Sequence, residues 1–148
     1  MVPSALPLAS GDSDGTIRTW NVADAAQPRP LSRIPTGIPV ASVAFSPDSR
    51  TLASAGGNLI QLWNVAADPV VPPPLGKALT GGTGAVYSVT FSPDGHTLAS
   101  GSTDGITRLW NLNARDAIER ICVTTGGLRL RQWHDYIPQL PYQPLCAR

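Results

Sequence analysis

Cysteine is nearly missing from this sequence. Cys122 and Cys146 are the only two in 148 residues, too few for a disulfide scaffold. A reduced, cytoplasmic setting is the expectation, with a single Cys122–Cys146 bridge left open. Long apolar runs are missing too: none approaches the roughly 18 residues of a membrane span. The first ten residues carry no basic side chain and are interrupted by Pro3 and Pro7, so they read as the start of a strand rather than a signal peptide. Charge of either sign is sparse, at 14% of residues, and nearly balanced at +1. That removes any general electrostatic case for nucleic acid or an acidic membrane. Residues 1–112 carry six Lys/Arg against seven Asp/Glu, and residues 113–148 five against three, too slight a bias for a basic arm. Paired carboxylates, a glycine-rich phosphate loop and a catalytic histidine arrangement are all missing. What remains is 42% hydrophobic, globular in composition and of the length of one ordinary domain.

The chain repeats itself. Val40–Val65 and Val86–Leu112 align nearly residue for residue, and Leu8–Val22 matches their second half. Ser-Pro-Asp begins at 46 and 92, and Trp-Asn at 20, 63 and 110. Each repeat reads as short strands punctuated by turns. Val40–Phe45 and Val86–Phe91 alternate and are rich in Val and Phe. Ser46–Ser49 and Ser92–Gly95 then turn, Pro setting φ, and Thr51–Ala55 and Thr97–Ser102 return. Asp14-Gly15 and Asp104-Gly105 turn into third strands at Thr16–Val22 and Ile106–Leu112, and Leu59–Val65 is the third strand of the middle repeat. Leu31–Ile34 and Lys77–Leu79, beside the proline-rich connectors Ala23–Pro30 and Ala66–Pro74, are expected as outer strands, where proline is tolerated. Beyond Leu112 the spacing of Ala117, Ile118, Ile121 and Cys122 predicts a helix, and Trp133, Tyr136 and Ile137 a second short one.

Four short antiparallel strands per 43–47 residues, ending in Trp-Asn, are the period of one propeller blade. Over about residues 6–112 the repeats resemble the WD40 family. The resemblance implies an all-β fold, a partial propeller of about two and a half four-stranded blades, with repeats at about 5–35, 36–80 and 81–112 and a helical appendage at 113–148. The tail, through Ala117-Ile118, Ile121-Cys122, Trp133, Tyr136, Leu140-Pro141-Tyr142 and Cys146, resembles the end of WD40 arrays in bacterial multidomain signalling proteins, often fused to a signal-transduction NTPase or kinase. The chain is accordingly expected to be the C-terminal fragment of such a protein.

The resemblance also implies a hydrogen-bonded tetrad of His, Ser or Thr, Asp and Trp in each blade, satisfying a buried indole N–H and carboxylate. Ser10, Asp14 and Trp20 match in the first repeat, Ser100, Asp104 and Trp110 in the third, and only Ser54 and Trp63 in the middle. Thr36 and Gly82 stand where His is expected, and Asn58 lies near the place of the missing Asp. With fewest partners for its Trp, the middle blade is expected to be the softer one. The family's top face, beside the channel, maps onto Ala41, Tyr87, Ser13 and Thr103. Tyr is a common interface anchor, set against a Tyr that only shields the rim.

Other patterns have plainer explanations. Gly11-Asp12-Ser13-Asp14-Gly15 fits G-x-S-x-G, but a strand follows where a nucleophile elbow requires a helix. Cys122, His134 and Cys146 match no standard zinc spacing, and Trp133 and Tyr136 read as packing of the tail. The expected function is therefore a non-enzymatic protein–protein interaction scaffold without metal or cofactor. It would have a protein partner, no nucleic acid and no membrane, and open blade edges would allow self-association. A truncated remnant without a binding role and a propeller-hosted hydrolase are the alternatives.

Overall fold

The computed structural model describes residues 7–80 and 82–113. The chain divides into two compact units, Met1–Trp110 and Asn111–Arg148. Ten strands and no helix make up the described residues. They form three antiparallel sheets, as the repeat pattern requires. The first holds β1 (Pro7–Gly11), β2 (Thr16–Asn21) and β3 (Arg29–Pro35), in that order. The middle sheet holds β4 (Ser42–Phe45), β5 (Thr51–Gly56), β6 (Leu59–Asn64) and the two-residue β7 (Leu79–Thr80). The third runs β8 (Val86–Phe91), β9 (Thr97–Ser102) and β10 (Thr107–Asn111). The helices expected beyond Leu112, with Cys122, His134 and Cys146, lie outside the described residues.

Local chemistry sets each hairpin. In the Ser-Pro-Asp turn, Ser46 Oγ donates to Asp48 at 2.6 Å and accepts the Thr51 N–H at 2.9 Å. The same clasp recurs at Ser92, where Oγ accepts the Thr97 N–H at 3.0 Å. The turn needs a left-handed residue, supplied by Gly95 (φ 73°) in the third repeat and by Ser49 (φ 57°) in the middle one. β5 and β6 pair from Thr51↔Asn64 to Gly56↔Leu59. The proline-rich connector extends the outer edge of this sheet: Pro74 bridges Trp63, Asn64 N–H donates to the Pro73 carbonyl and Leu75 N–H to that of Leu62. Its prolines, which have no N–H to give, sit where only a carbonyl is asked of them.

Neighbouring sheets pack face to face through β1 on β4 and through β4 and β5 on β8. Between the first and middle sheets, Ile17, Ile34, Val40, Leu52 and Trp63 form a buried core, with Ala9, Val43 and Phe45 against it. Backbone hydrogen bonds cross the seams: Val40 N–H to the Asp12 carbonyl at 3.0 Å, Thr36 N–H to that of Gly15 at 2.8 Å, and Val86 N–H to that of Gly57 at 2.7 Å. Val89 N–H also reaches Ser42 Oγ on β4 at 3.2 Å. Gly11 has no Cβ because Val40 needs the space: a Cβ there would lie 2.3 Å from its Cγ1.

Candidate functional site: one end of the sheets and its hydrogen-bonded frame

Ser and Trp meet in two of the three sheets. Trp63 Nε1 donates to Ser54 Oγ at 2.9 Å, and Trp110 Nε1 to Ser100 Oγ at 2.9 Å. The register explains why: Leu52 faces Trp63 and Ser54 faces Gln61, so the serine stands two residues along β5 from the point opposite the indole, on the same face. Trp20 and Ser10 hold the same register in the first sheet. There Ser10 is exposed and Trp20 half-buried.

The carboxylates go elsewhere. Asp104 pairs with Arg108 at 2.8 Å, accepts from Ser102 Oγ, and caps its own turn by accepting the Ile106 N–H at 3.0 Å. Arg108 also reaches Ser102 Oγ at 3.0 Å. In the first sheet Arg18 pairs with Asp12 at 2.9 Å and Asp14 at 3.2 Å, and Arg33 approaches Asp14 at 3.8 Å. Asp14 accepts the Thr16 N–H at 2.8 Å. In both repeats an arginine four residues after the Asp, and two before the Trp, holds the carboxylate. The middle repeat has Gln61 at that place.

The same ion pair lies beside Gly82, one of the two departures at the expected histidine. A Cβ on Gly82 would lie 2.8 Å from both the Arg108 guanidinium and the Asp104 carboxylate, so the ion pair packs directly against this position. In the middle sheet nothing replaces the missing groups. Thr36 Oγ1 turns away to the carbonyls of Gly15 at 2.9 Å and Ile38 at 2.7 Å. A cavity of about 130 Å³ remains, lined among others by Thr36, Ser54, Gly56, Gln61 and Trp63. Asn58 is in the β5–β6 turn.

The four residues expected at the top face fall near the same end of the strands. Tyr87 is 58% exposed. It stands at a bulge, where the pairing of β8 with β9 slips between Val86 and Ser88, a device that re-aims a side chain. Its ring lies over Gly101: a Cβ there would be 3.2 Å from the Tyr87 hydroxyl. Thr103 is tied beside it, Oγ1 accepting the Ala85 N–H at 2.9 Å while Thr103 N–H donates to the Ala85 carbonyl at 2.9 Å. Gly84 lets this turn close, since a Cβ there would lie 2.4 Å from the Asp104 nitrogen. Ala41 is exposed at the start of β4, its N–H on the Ala55 carbonyl. Ser13 is exposed in the β1–β2 turn, which the Val40–Asp12 bond brings beside Ala41, and Ser13 Oγ donates to Asp12 at 3.3 Å. Arg18 and Arg108 were not singled out as site residues, although the repeated Asp-x-x-x-Arg-x-Trp spacing carries the signal.

Five carboxylates are held below their ordinary range: Asp104 by Arg108 and Ser102, Asp12 by Arg18, Asp48 by Ser46, Asp94 by Ser92, and Asp68 by the N–H groups of Val71 and Val70. Depressed values mean that their stabilisation is present above the unfolded-state value of 3.8 and is lost as pH falls below it. The melting temperature should fall as pH drops from about 4 towards 2. In Asp104→Asn the fall should be shallower, the two curves converging at the acid end. Parallel curves would remove Asp104 from the account.

Three antiparallel sheets packed face to face, each carrying the same turn and Trp positions, define a propeller-type repeat array. The family described as "WD domain, G-beta repeat" matches residues 31–64 and 74–111, so the chain carries WD40 repeats. A stretch of 66 residues is 47% identical to apoptotic protease-activating factor 1 of Mus musculus and covers 40% of this chain but 5% of that protein. The Rattus norvegicus counterpart is 46% identical over 66 residues, again 5% of its length. Among solved structures, a chain in the crystal structure of the mitotic checkpoint complex superposes with a TM-score of 0.59 at 24% identity over 71% of this chain. The C-terminal WD40 domain of Sif2 superposes with 0.60 at 14% identity over 76%. In each case the chain spans 32% of the solved one. These two likenesses show the fold.

Proposed function

We propose that the protein is a non-enzymatic, cytoplasmic protein–protein interaction module, a scaffold element of a signalling protein, and that Tyr87 anchors its partner. Tyr87 carries this reading. A large ring with a polar tip is held in the open on a bulge, braced by Gly101 below and by the Ala85–Thr103 clasp beside it. A pre-ordered aromatic loses little freedom on binding, and the small neighbours at this end of the strands, Ala41 and Ser13, leave room for a partner side chain. The likeness of 66 residues to apoptotic protease-activating factor 1 supports placing such repeats in a signalling scaffold.

A partner recovered by pull-down on the immobilised chain and then purified gives the test. Tyr87→Ala should weaken its binding at least about tenfold, as expected of a buried anchor, with an unchanged melting temperature. Unchanged affinity would leave Tyr87 as rim packing and move the interface elsewhere, the 129–136 segment being next. A broad screen of ester, phosphate and peptide substrates should show no turnover. Hydrolysis that survives purification would favour the enzyme.

A further inference from the structure

The connector after β6 carries an ordered proline segment that the site at Tyr87 does not use. Pro69-Val70-Val71-Pro72-Pro73-Pro74-Leu75 begins in a turn where Asp68 accepts the N–H groups of Val70 at 2.8 Å and Val71 at 3.0 Å. Proline locks φ at about −65°, and a residue before proline is pushed out of the helical region. Val71, Pro72 and Pro73 each precede a proline, so all three are extended. Exposure follows a period of three rather than two: Val70 and Val71 are exposed, Pro72 is buried, and Pro73 and Pro74 are exposed. Three residues per turn is the polyproline II helix. One of its three ridges is seated on the sheet at Pro72, and the ridges Val70–Pro73 and Val71–Pro74 face outward. The middle sheet has a neighbouring sheet on each side, and β7 and this connector fill its fourth-strand place. The open ridges therefore belong to an outer edge that the rest of the array leaves clear.

We propose that Val70–Pro74 is the docking segment for a proline-recognition domain, one whose groove is lined by aromatic rings, as in SH3, WW and EVH1 domains, and rimmed by carboxylates. The backbone selects this partner. Asn64 N–H donates to the Pro73 carbonyl and Leu75 N–H to that of Leu62, which fastens the segment to β6. Pro74, opposite Trp63 in that bridge, is the non-hydrogen-bonded member of the pair and turns its carbonyl away from β6. Neither Pro72 nor Pro74 has an N–H, so this edge gives acceptors without donors. An added strand needs both. A groove whose indole and phenol groups donate, and whose rings pack on proline rings, needs only the acceptors. Lys77 asks for the acidic rim: it is exposed just past the segment and pairs with no carboxylate among the described residues. The Asp68 turn and the two bonds to β6 order the segment before a partner arrives, so little freedom is lost on docking.

The test titrates the full chain into a panel of purified, isotope-labelled SH3, WW and EVH1 domains with acidic and with neutral groove rims, and follows the resonances of the groove tryptophans. Acidic-rimmed members should bind, with an affinity that falls as salt rises. Pro74→Ala removes a ring and keeps the outward carbonyl, and should weaken binding at least about tenfold, as for a truncated anchor. Lys77→Glu should weaken it severalfold and abolish the salt dependence. Both positions are exposed, so far-UV spectra and melting temperatures should match the wild type. A panel in which no groove responds overturns the proposal. So does binding indifferent to Pro74→Ala or to Lys77→Glu. A free peptide of residues 68–77 that binds where the full chain does not would overturn it as well, because the sheet would then be hiding the segment. Tyr87→Ala should leave this binding unchanged, so the two interactions stand or fall separately.

Discussion

Trp63→Ala should destabilise the chain by about 3–5 kcal/mol, the usual loss for a large aromatic removed from a core, while Trp20→Ala should cost about 1 kcal/mol or less, the scale of a substitution away from any core. The two tryptophans occupy the same place in their repeats, two residues after Gln61 and Arg18. Their surroundings differ. Trp63 is 9% exposed, packs with Ile17, Ile34, Val40 and Leu52 across the first seam, and donates to a buried serine that would lose its partner. Trp20 is half-buried and lines an open groove of about 480 Å³ with Arg18, Leu31, Arg33 and Val70. Against a typical total of roughly 5–15 kcal/mol, the first change should leave a marginal fold. Urea unfolding followed by Trp fluorescence measures both, the midpoint falling far for Trp63→Ala and little for Trp20→Ala. Equal losses would mean that the first sheet's face is covered in solution.

The same comparison reverses an expectation drawn from hydrogen bonding alone. By sequence the middle repeat matches the fewest tetrad positions and is expected to be the softer one, yet Trp63 and Trp110 each donate to one serine at 2.9 Å. In the structure the middle sheet is the one with both faces covered: Leu52, Ala53, Ala55 and Ile60 are all 0–1% exposed. Burying four side chains outweighs one missing tetrad position, because a net hydrogen bond contributes about 1 kcal/mol and a buried Leu or Ile about 1.5–3. The 130 Å³ cavity at Thr36 is real, but it lies in the best-covered sheet. Amide exchange in β6 should therefore be slower than in β10.

Much of the fold was legible because it is written in periodic terms. Ser46 and Ser92, the Asp-Gly turns and the alternation in β4 and β8 act within a few residues, and each repeat corroborates the others. The destination of Asp14 and Asp104 was harder. In the structure each carboxylate meets an arginine on the following strand. Charge decides: an ion pair is stronger than a neutral hydrogen bond, and at Asp104 the Arg108 contact is bidentate. The guanidinium then packs against Gly82, where a histidine is expected. The Tyr87 bulge has no local signature at all. It depends on the slip between β8 and β9, which no residue type announces.

Gly56 and Gly57 show where reading by residue type stops, and they carry the second large expected effect. They are adjacent, identical in sequence and opposite in requirement. Gly56 ends β5 against the segment leading into β4, and a Cβ there would lie 2.1 Å from the Pro39 carbonyl oxygen. Both sides of that contact are backbone, so neither can swing away. Gly56→Ala must push the middle sheet off the seam beside Val40, and it should cost at least about 2–3 kcal/mol, the upper range for overpacking. Gly57 faces open space and needs only its left-handed φ of 52°, which Asn adopts readily. Gly57→Asn should therefore change stability by no more than about 0.5 kcal/mol. Chemical denaturation of the two single variants separates the causes. A large loss in the first and none in the second locates the demand in the close approach of two backbones. A large loss in the second alone would locate it in the turn conformation, and the seam at Pro39 would then be looser than the structure draws it.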